Sequence, residues 1–449
     1  MTATRPAAPG SVDQRSTSRE ILALAIPAFA TLVSEPLLVM ADSAIIGHLA
    51  TPLLAGLGLA GNIVGIIVGL CIFLAYGTTA SVARMLGAGR RRDALTQGFD
   101  GMVLGVLLGV VLAVVIQLGA PTIIGWYGPS EPVAQAAVTY LRVVAWAFPA
   151  LLVMLASTGV LRGLQDTRTP LYVAIGVNLT NIGLNFLLVY GFGLGILGAA
   201  FGTLISQYAA AMFLAGVVLS GARREQAPLA FRPAGVLTAA KGGVWLVLRT
   251  VSMQTSITAT TIVATHLGAI GLAAHQVTNS LWTFLAFALD ALAIACQAII
   301  GRHLGAEDAT AARAVTRTAL WWGVGGGVIF GALLIAARPL LMPVFTPDAA
   351  VQSQLALALL VVGLLQPIAG VVFVLDGVLI GAGDARYLAL AGLVASGIHL
   401  PFVIWLDRFG PVLWLLWVVY GVFMLGRAAT LLWRVRNDDW MRLGATTPA

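Results

Sequence analysis

The chain has 449 residues, of which 59% are hydrophobic and only 10% charged, and its mean hydropathy is +0.96. Soluble domains carry about 25% charged residues, so this composition excludes a soluble globular fold and implies an all-α polytopic membrane protein. The net charge of +7 fits basic loops on the inner side of a membrane and does not call for a nucleic-acid partner. Cys71 and Cys296 lie inside apolar runs, which leaves no disulfide framework and no His/Cys spacing for a metal.

In chain order, residues 1–18 are polar and rich in Ser, Thr and Pro. They lack the basic-then-apolar order of a cleavable signal and read as a disordered cytoplasmic tail. Apolar runs long enough to cross roughly 30 Å of hydrocarbon follow at 20–49, 53–86, 94–119, 133–163, 170–191 and 195–220. After a polar stretch come six more, at 244–267, 271–304, 312–337, 350–380, 386–406 and 411–435. Twelve transmembrane helices are predicted. They fall into an N-lobe over 19–220, a cytoplasmic linker over 221–243, a C-lobe over 244–435 and a cytoplasmic tail over 436–449.

The first span carries Glu35 and Asp42, seven residues apart. On an α-helix that spacing puts both on one face, roughly 10 Å apart. A charge deep in a bilayer costs about 3 kcal/mol or more, so such residues line a water-filled or substrate pathway. Pro27 and Pro36 lie in the same span and are expected to break or bend it.

Charge sets the orientation. With the N-terminus inside, 22 of the 25 Lys and Arg fall in the tail, the even-numbered loops, the linker and the C-terminal end. Both termini are therefore expected in the cytoplasm. The halves also superpose at one offset of 218 residues. His48 and Leu49 meet His266 and Leu267; Arg84, Leu86 and Gly87 meet Arg302, Leu304 and Gly305; Gly159, Gly163, Asp166 and Arg168 meet Gly377, Gly381, Asp384 and Arg386. Six is even, so the repeat is parallel. Two bundles then flank a central cavity whose access can alternate.

Several passages resemble the multidrug and toxic compound extrusion (MATE) transporters. They are ADSAIIGHL (41–49), ARMLGAG (83–89), GVLRGLQDTRTP (159–170), NLTNIGLNFLLVYGFGLGILGAAFGTLIS (178–206) and LDGVLIGAGDAR (375–386). Asp290 and the string QAIIGRHLGA (297–306) resemble the branch named after DNA-damage-inducible protein F (DinF). The resemblance implies two six-helix lobes in a V and export of bulky, often cationic compounds in exchange for protons or sodium ions. It implies a plasma-membrane location, small organic substrates and lipid as the surroundings, a monomer, and no cofactor beyond the coupling H+ or Na+. It also places the N-lobe coupling acid on Asp42. The family's fifth-span pattern, Asn followed four residues later by Asp, falls on Asn181 and Asn185, so the second acid is missing; the neighbouring threonine falls on Thr203.

Asp42 is the leading coupling residue, because a carboxyl group away from water can hold a proton and release it when access or partners change. Its bland alternative is a buried structural acid bonded to Asn181, Asn185 or Thr203. Glu35 is either a second coupling group or a partly solvated acid beside Pro36. Asn178, Asn181 and Asn185 share one face and line the N-lobe cavity, or mediate helix packing. Asp290 and Asp376, with Gln254 near them in the family-like arrangement, are the C-lobe candidates for a cation or substrate. The repeat partner of Asp376 is Thr158, so that acid is not a repeat-wide structural feature. His48 and His266 match across the repeat and read as architecture; His399 reads as packed.

The leading function is a secondary antiporter exporting organic cations for protons. A flippase for lipid-linked precursors is the alternative; it is disfavoured because the intramembrane charges read as mostly acids. No nucleophile–base group supports an enzyme, no phosphate loop supports an ATPase, and the duplicated cleft disfavours a passive channel.

Overall fold

The computed structural model describes residues 14–445; residues 1–13 of the expected tail lie outside that range. Among the described residues, fourteen α-helices carry the fold. In the N-half they are α1 (Gln14–Gly47), α2 (Thr51–Cys71), α3 (Phe73–Gly87), α4 (Arg91–Gly125), α5 (Glu131–Ala145), α6 (Phe148–Gly163), α7 (Arg168–Asn185) and α8 (Gly195–Arg224). In the C-half they are α9 (Pro233–Thr265), α10 (Gly268–Gly305), α11 (Ala309–Phe345), α12 (Ala349–Gly381), α13 (Ala385–Phe409) and α14 (Leu413–Arg436). With α2–α3 and α5–α6 each counted as one span, twelve cross a membrane by length and composition.

Where helices break, proline and local polarity explain it. The fourth span bends by 54° between α5 and α6. Pro149 sits in the first turn of α6, where its ring cannot accept the preceding helix and its missing N–H costs nothing. α1 departs from expectation, because it continues through both Pro27 and Pro36. Two carbonyls near these prolines take side-chain donors: the Thr31 hydroxyl donates to the Pro27 carbonyl (2.9 Å) and the Asn178 amide of α7 to the Ser34 carbonyl (2.7 Å).

Two boundaries are corrected. Helix α1 begins at Gln14, so residues 14–18 are helical. The linker expected over 221–243 shrinks to 225–232, because α9 begins at Pro233 and takes in Lys241. The residue before it, Arg232, reaches the buried Asp100 at 2.5 Å.

The lobes are not stitched together by the linker alone. Ile21, Leu24 and Ala25 of α1 bury into the C-lobe core, whereas Ile45 and Ile46 bury into the N-lobe core. Helix α9 mirrors this crossing: its start lies against Asp100 and Phe73, and Val263 and Ala264 pack in the C-lobe. Each first helix therefore belongs to both lobes.

The lobes meet at the end that carries Arg84, Arg90–Arg92, Arg302 and Arg386, here the arginine-rich face. A Cβ on Gly87 would stand 1.9 Å from the Arg302 carbonyl oxygen, and one on Gly305 would stand 1.9 Å from that of Arg84. These repeat-related crossings require glycine on each side. Arg84 donates to the Ala382 carbonyl (2.7 Å), and Arg302 to Gln165 Oε1 (2.6 Å). Each arginine thus caps the turn of the opposite lobe. Bonds in the other half of the molecule stay within a lobe, such as Tyr190 to the Ile45 carbonyl (2.6 Å) and His266 to Asp407 (2.7 Å). The V opens on that side.

Candidate functional site

The N-lobe cluster is built by α1, α7, α8 and α5. Asn181 and Asn185 are four residues apart on α7, so they stack on one face, and both are 0% exposed. The Asn185 amide donates to Asp42 Oδ1 (2.7 Å) and to Asn181 Oδ1 (3.0 Å). The Asn181 amide donates to the hydroxyls of Thr203 (3.3 Å) and Ser206 (3.3 Å). Tyr140 closes the row with its hydroxyl 3.4 Å from that of Thr203.

Both N–H groups of each amide are thereby used, and the chain of donors ends on one oxygen of Asp42. The other oxygen has no protein partner among the described residues, and the residue keeps 9% exposure. That oxygen and the buried, unpartnered Asn185 Oδ1 beside it are the acceptors of the row left open to a proton or a visiting cation. The backbone next to it is also unusual: Phe186–Gly191 is π-helical, a distortion that often accompanies functional sites. Gly198 of α8 makes room for that segment, since a Cβ there would stand 2.8 Å from the Leu188 carbonyl, and Gly202 makes room for the Asn185 side chain, whose Oδ1 a Cβ would approach to 2.0 Å.

Glu35 is exposed and makes no hydrogen bond or ion pair among the described residues, so it does not join the Asp42 row. Asn178 is half-buried and braces α1 as described above rather than joining the row.

The C-lobe differs from the sequence reading. Asp376 Oδ2 accepts from Arg249 (2.6 Å) and from Arg427, all three being nearly buried. Asp376 is therefore the shared anion of two cations. Asp290 is half-buried beside the Tyr76 hydroxyl, with Arg162 and Arg249 close enough to act on it electrostatically. Three arginines and two aspartates thus occupy the region where the lobes converge, which corrects the expectation that the intramembrane charges are mostly acids. Arg162, Arg249 and Arg427 lie near span ends, where topology alone accounted for them. Gln254 is exposed and bonds to neither acid.

Among the histidines, His399 is packed as expected, with the Thr260 hydroxyl at 3.2 Å and the Val419 carbonyl at 3.1 Å. Trp282 is buried in a core group with Trp417 and Tyr420. Sequence reasoning missed Tyr140, Ser206 and Tyr76. Ser206 was within reach, because it follows Thr203 by one helical turn.

Comparison with known proteins agrees with this architecture. The MatE family pattern matches residues 27–187 and 246–405, one block in each lobe. Protein DETOXIFICATION 44, chloroplastic, of Arabidopsis thaliana is 28% identical over 94% of this chain and 84% of its own length. DNA damage-inducible protein F of Escherichia coli (strain K12) is 29% identical, covering 95% of this chain and 94% of its own. The Vibrio cholerae MATE transporter VcmN in its bent form has the same fold, with a TM-score of 0.87 at 22% identity over 96% of this chain and 98% of that one. The chain belongs to the MatE family and is a membrane transporter, not an enzyme.

Proposed function

We propose that the protein is an antiporter that exports organic cations in exchange for protons, with Asp42 as the group that alternately holds proton and cargo. The observation that carries this reading is the asymmetry of Asp42: one oxygen is fixed by Asn185 and the other has no partner. A proton suits the site better than sodium. Asn185 presents N–H to the carboxylate, whereas a hard cation is held by several oxygens, as Ca2+ and Mg2+ are. Alternating access is supported by two lobes whose backbones cross most closely at the arginine-rich face, at Gly87 and Gly305. We place that face and both termini in the cytoplasm of a plasma-membrane protein, following the distribution of basic residues, so the V opens outward. The transporter works as a monomer on this reading, since one chain contains both lobes.

The test is efflux of a fluorescent organic cation from vesicles with an imposed pH gradient or sodium gradient, for wild type and Asp42→Asn. Asn keeps the shape and removes the titrating group. Proton-driven efflux is expected in wild type and at least tenfold less in the variant at equal expression. Efflux that survives in Asp42→Asn would sink the assignment.

A second reading, flipping of a lipid-linked precursor, gains support from the excess of arginine around Asp376 and Asp290, which suits an anionic headgroup. Failure of wild type to move the cation under either gradient would favour it.

A further inference from the structure

A cavity of about 220 Å3 lies near the arginine-rich face, lined by both lobes. Phe73, Leu74 and Leu104 line it from the N-lobe, Trp245 and Leu246 from α9, and Arg386 and Arg442 from the C-terminal half. The two arginines give it its character. Arg386 lies over the Trp245 ring at 5.7 Å, and neither Arg386 nor Arg442 pairs with a carboxylate among the described residues. The nearby acids are taken. Asp384 is held by Arg434 at 2.6 Å, and Asp100 by Arg232 at 2.5 Å.

Arg442 is not on a loose end. Gly444 donates to the Leu304 carbonyl (3.0 Å) and accepts from Arg84 (3.2 Å), Asp438 pairs with Arg313 (2.5 Å), and Trp440 is buried. The tail is thus fastened across the junction of the lobes, and it brings Arg442 to the cavity that Arg386 also lines. Bringing unpaired positive charges around one cavity is unfavourable until an anion arrives. Guanidinium groups match phosphate oxygens in two-pronged geometry. The apolar wall opposite suits a hydrophobic body.

We propose that this cavity binds a phosphate-bearing ligand through Arg386 and Arg442, and that the ligand, touching both lobes and the tail, holds the arginine-rich face closed. The site is separate from Asp42, and the inference does not rest on the coupling reading. An anionic phospholipid headgroup and a free phosphate share the required chemistry.

Purified full-length protein is melted in detergent with phosphatidylglycerol, with phosphatidylcholine, or with inorganic phosphate at matched ionic strength. A rise in melting temperature of several degrees is expected with phosphatidylglycerol and not with phosphatidylcholine. It should be lost in R386Q/R442Q and kept in R436Q, which removes an exposed arginine from the same face. Gly242→Phe offers a second route, since Gly242 lines the cavity and a Cβ there meets nothing within 4 Å; its ring should fill the cavity and abolish the shift. A rise with inorganic phosphate that is likewise lost in R386Q/R442Q would assign the site to soluble phosphate. No ligand-dependent rise in wild type, or an undiminished rise in R386Q/R442Q, would overturn the proposal.

Discussion

Asp376→Asn lowers the unfolding temperature of the purified protein more than Arg249→Leu or Arg427→Leu does. The reason is arithmetic within a buried cluster, in which Arg249 and Arg427 share one carboxylate. Removing the acid leaves two cations facing each other out of water, a loss of about 3–5 kcal/mol for an uncompensated buried charge. Removing one arginine leaves a matched pair and should cost less than half as much. Cys71 and Cys296 are free and buried, so reaction with a thiol-reactive dye during heating reports unfolding without added labels. If Asp376→Asn melts like wild type while the arginine variants collapse, the acid is not the keystone of that cluster, and its assignment as a structural anion is wrong.

The second large effect is expected at the crossing of α3 and α10. Gly305→Ala and Gly87→Ala each place a methyl group within 1.9 Å of a backbone carbonyl of the other lobe. Backbone cannot move aside as a flexible side chain does, and a packed interface responds by separating. Spin labels at Arg92→Cys and Arg317→Cys, with Cys71 and Cys296 replaced, should move apart by several Å. Export should fall at least tenfold, because an arginine-rich face that cannot seal lets cargo and ions leak. Gly58→Ala is the control, since a Cβ there meets nothing within 4 Å. Unchanged distances in the Gly305 and Gly87 variants would mean the lobes do not pack as closely as described.

Much of this architecture was legible in the sequence because membrane spans are written in hydropathy and the repeat in a constant offset. The offset of 218 residues even paired Gly87 with Gly305 and Arg84 with Arg302, although it could not say that each pair meets across the lobes. Helix breaks were less legible. Pro149 stands in the first turn after a bend, whereas α1 continues through Pro27 and Pro36, and a proline in the sequence reads the same in both settings. Asp42, Asn181, Asn185 and Thr203 do come together, since helical spacing and the family pattern both placed them on facing helices. The C-lobe was misread for a definite reason. Arg249 and Arg427 lie near span ends, where the positive-inside rule already explains a cation, and nothing local signals that both turn inward to one aspartate.

The most direct measurement of the coupling reading is proton release on cargo binding. Purified protein in weakly buffered detergent is titrated with an organic cation across a range of pH while a dye follows free protons. If Asp42 exchanges proton for cargo, wild type releases about one proton per bound cation over part of that range, and Asp42→Asn releases none. Cation binding without proton release, or release that persists unchanged in Asp42→Asn, would contradict the account.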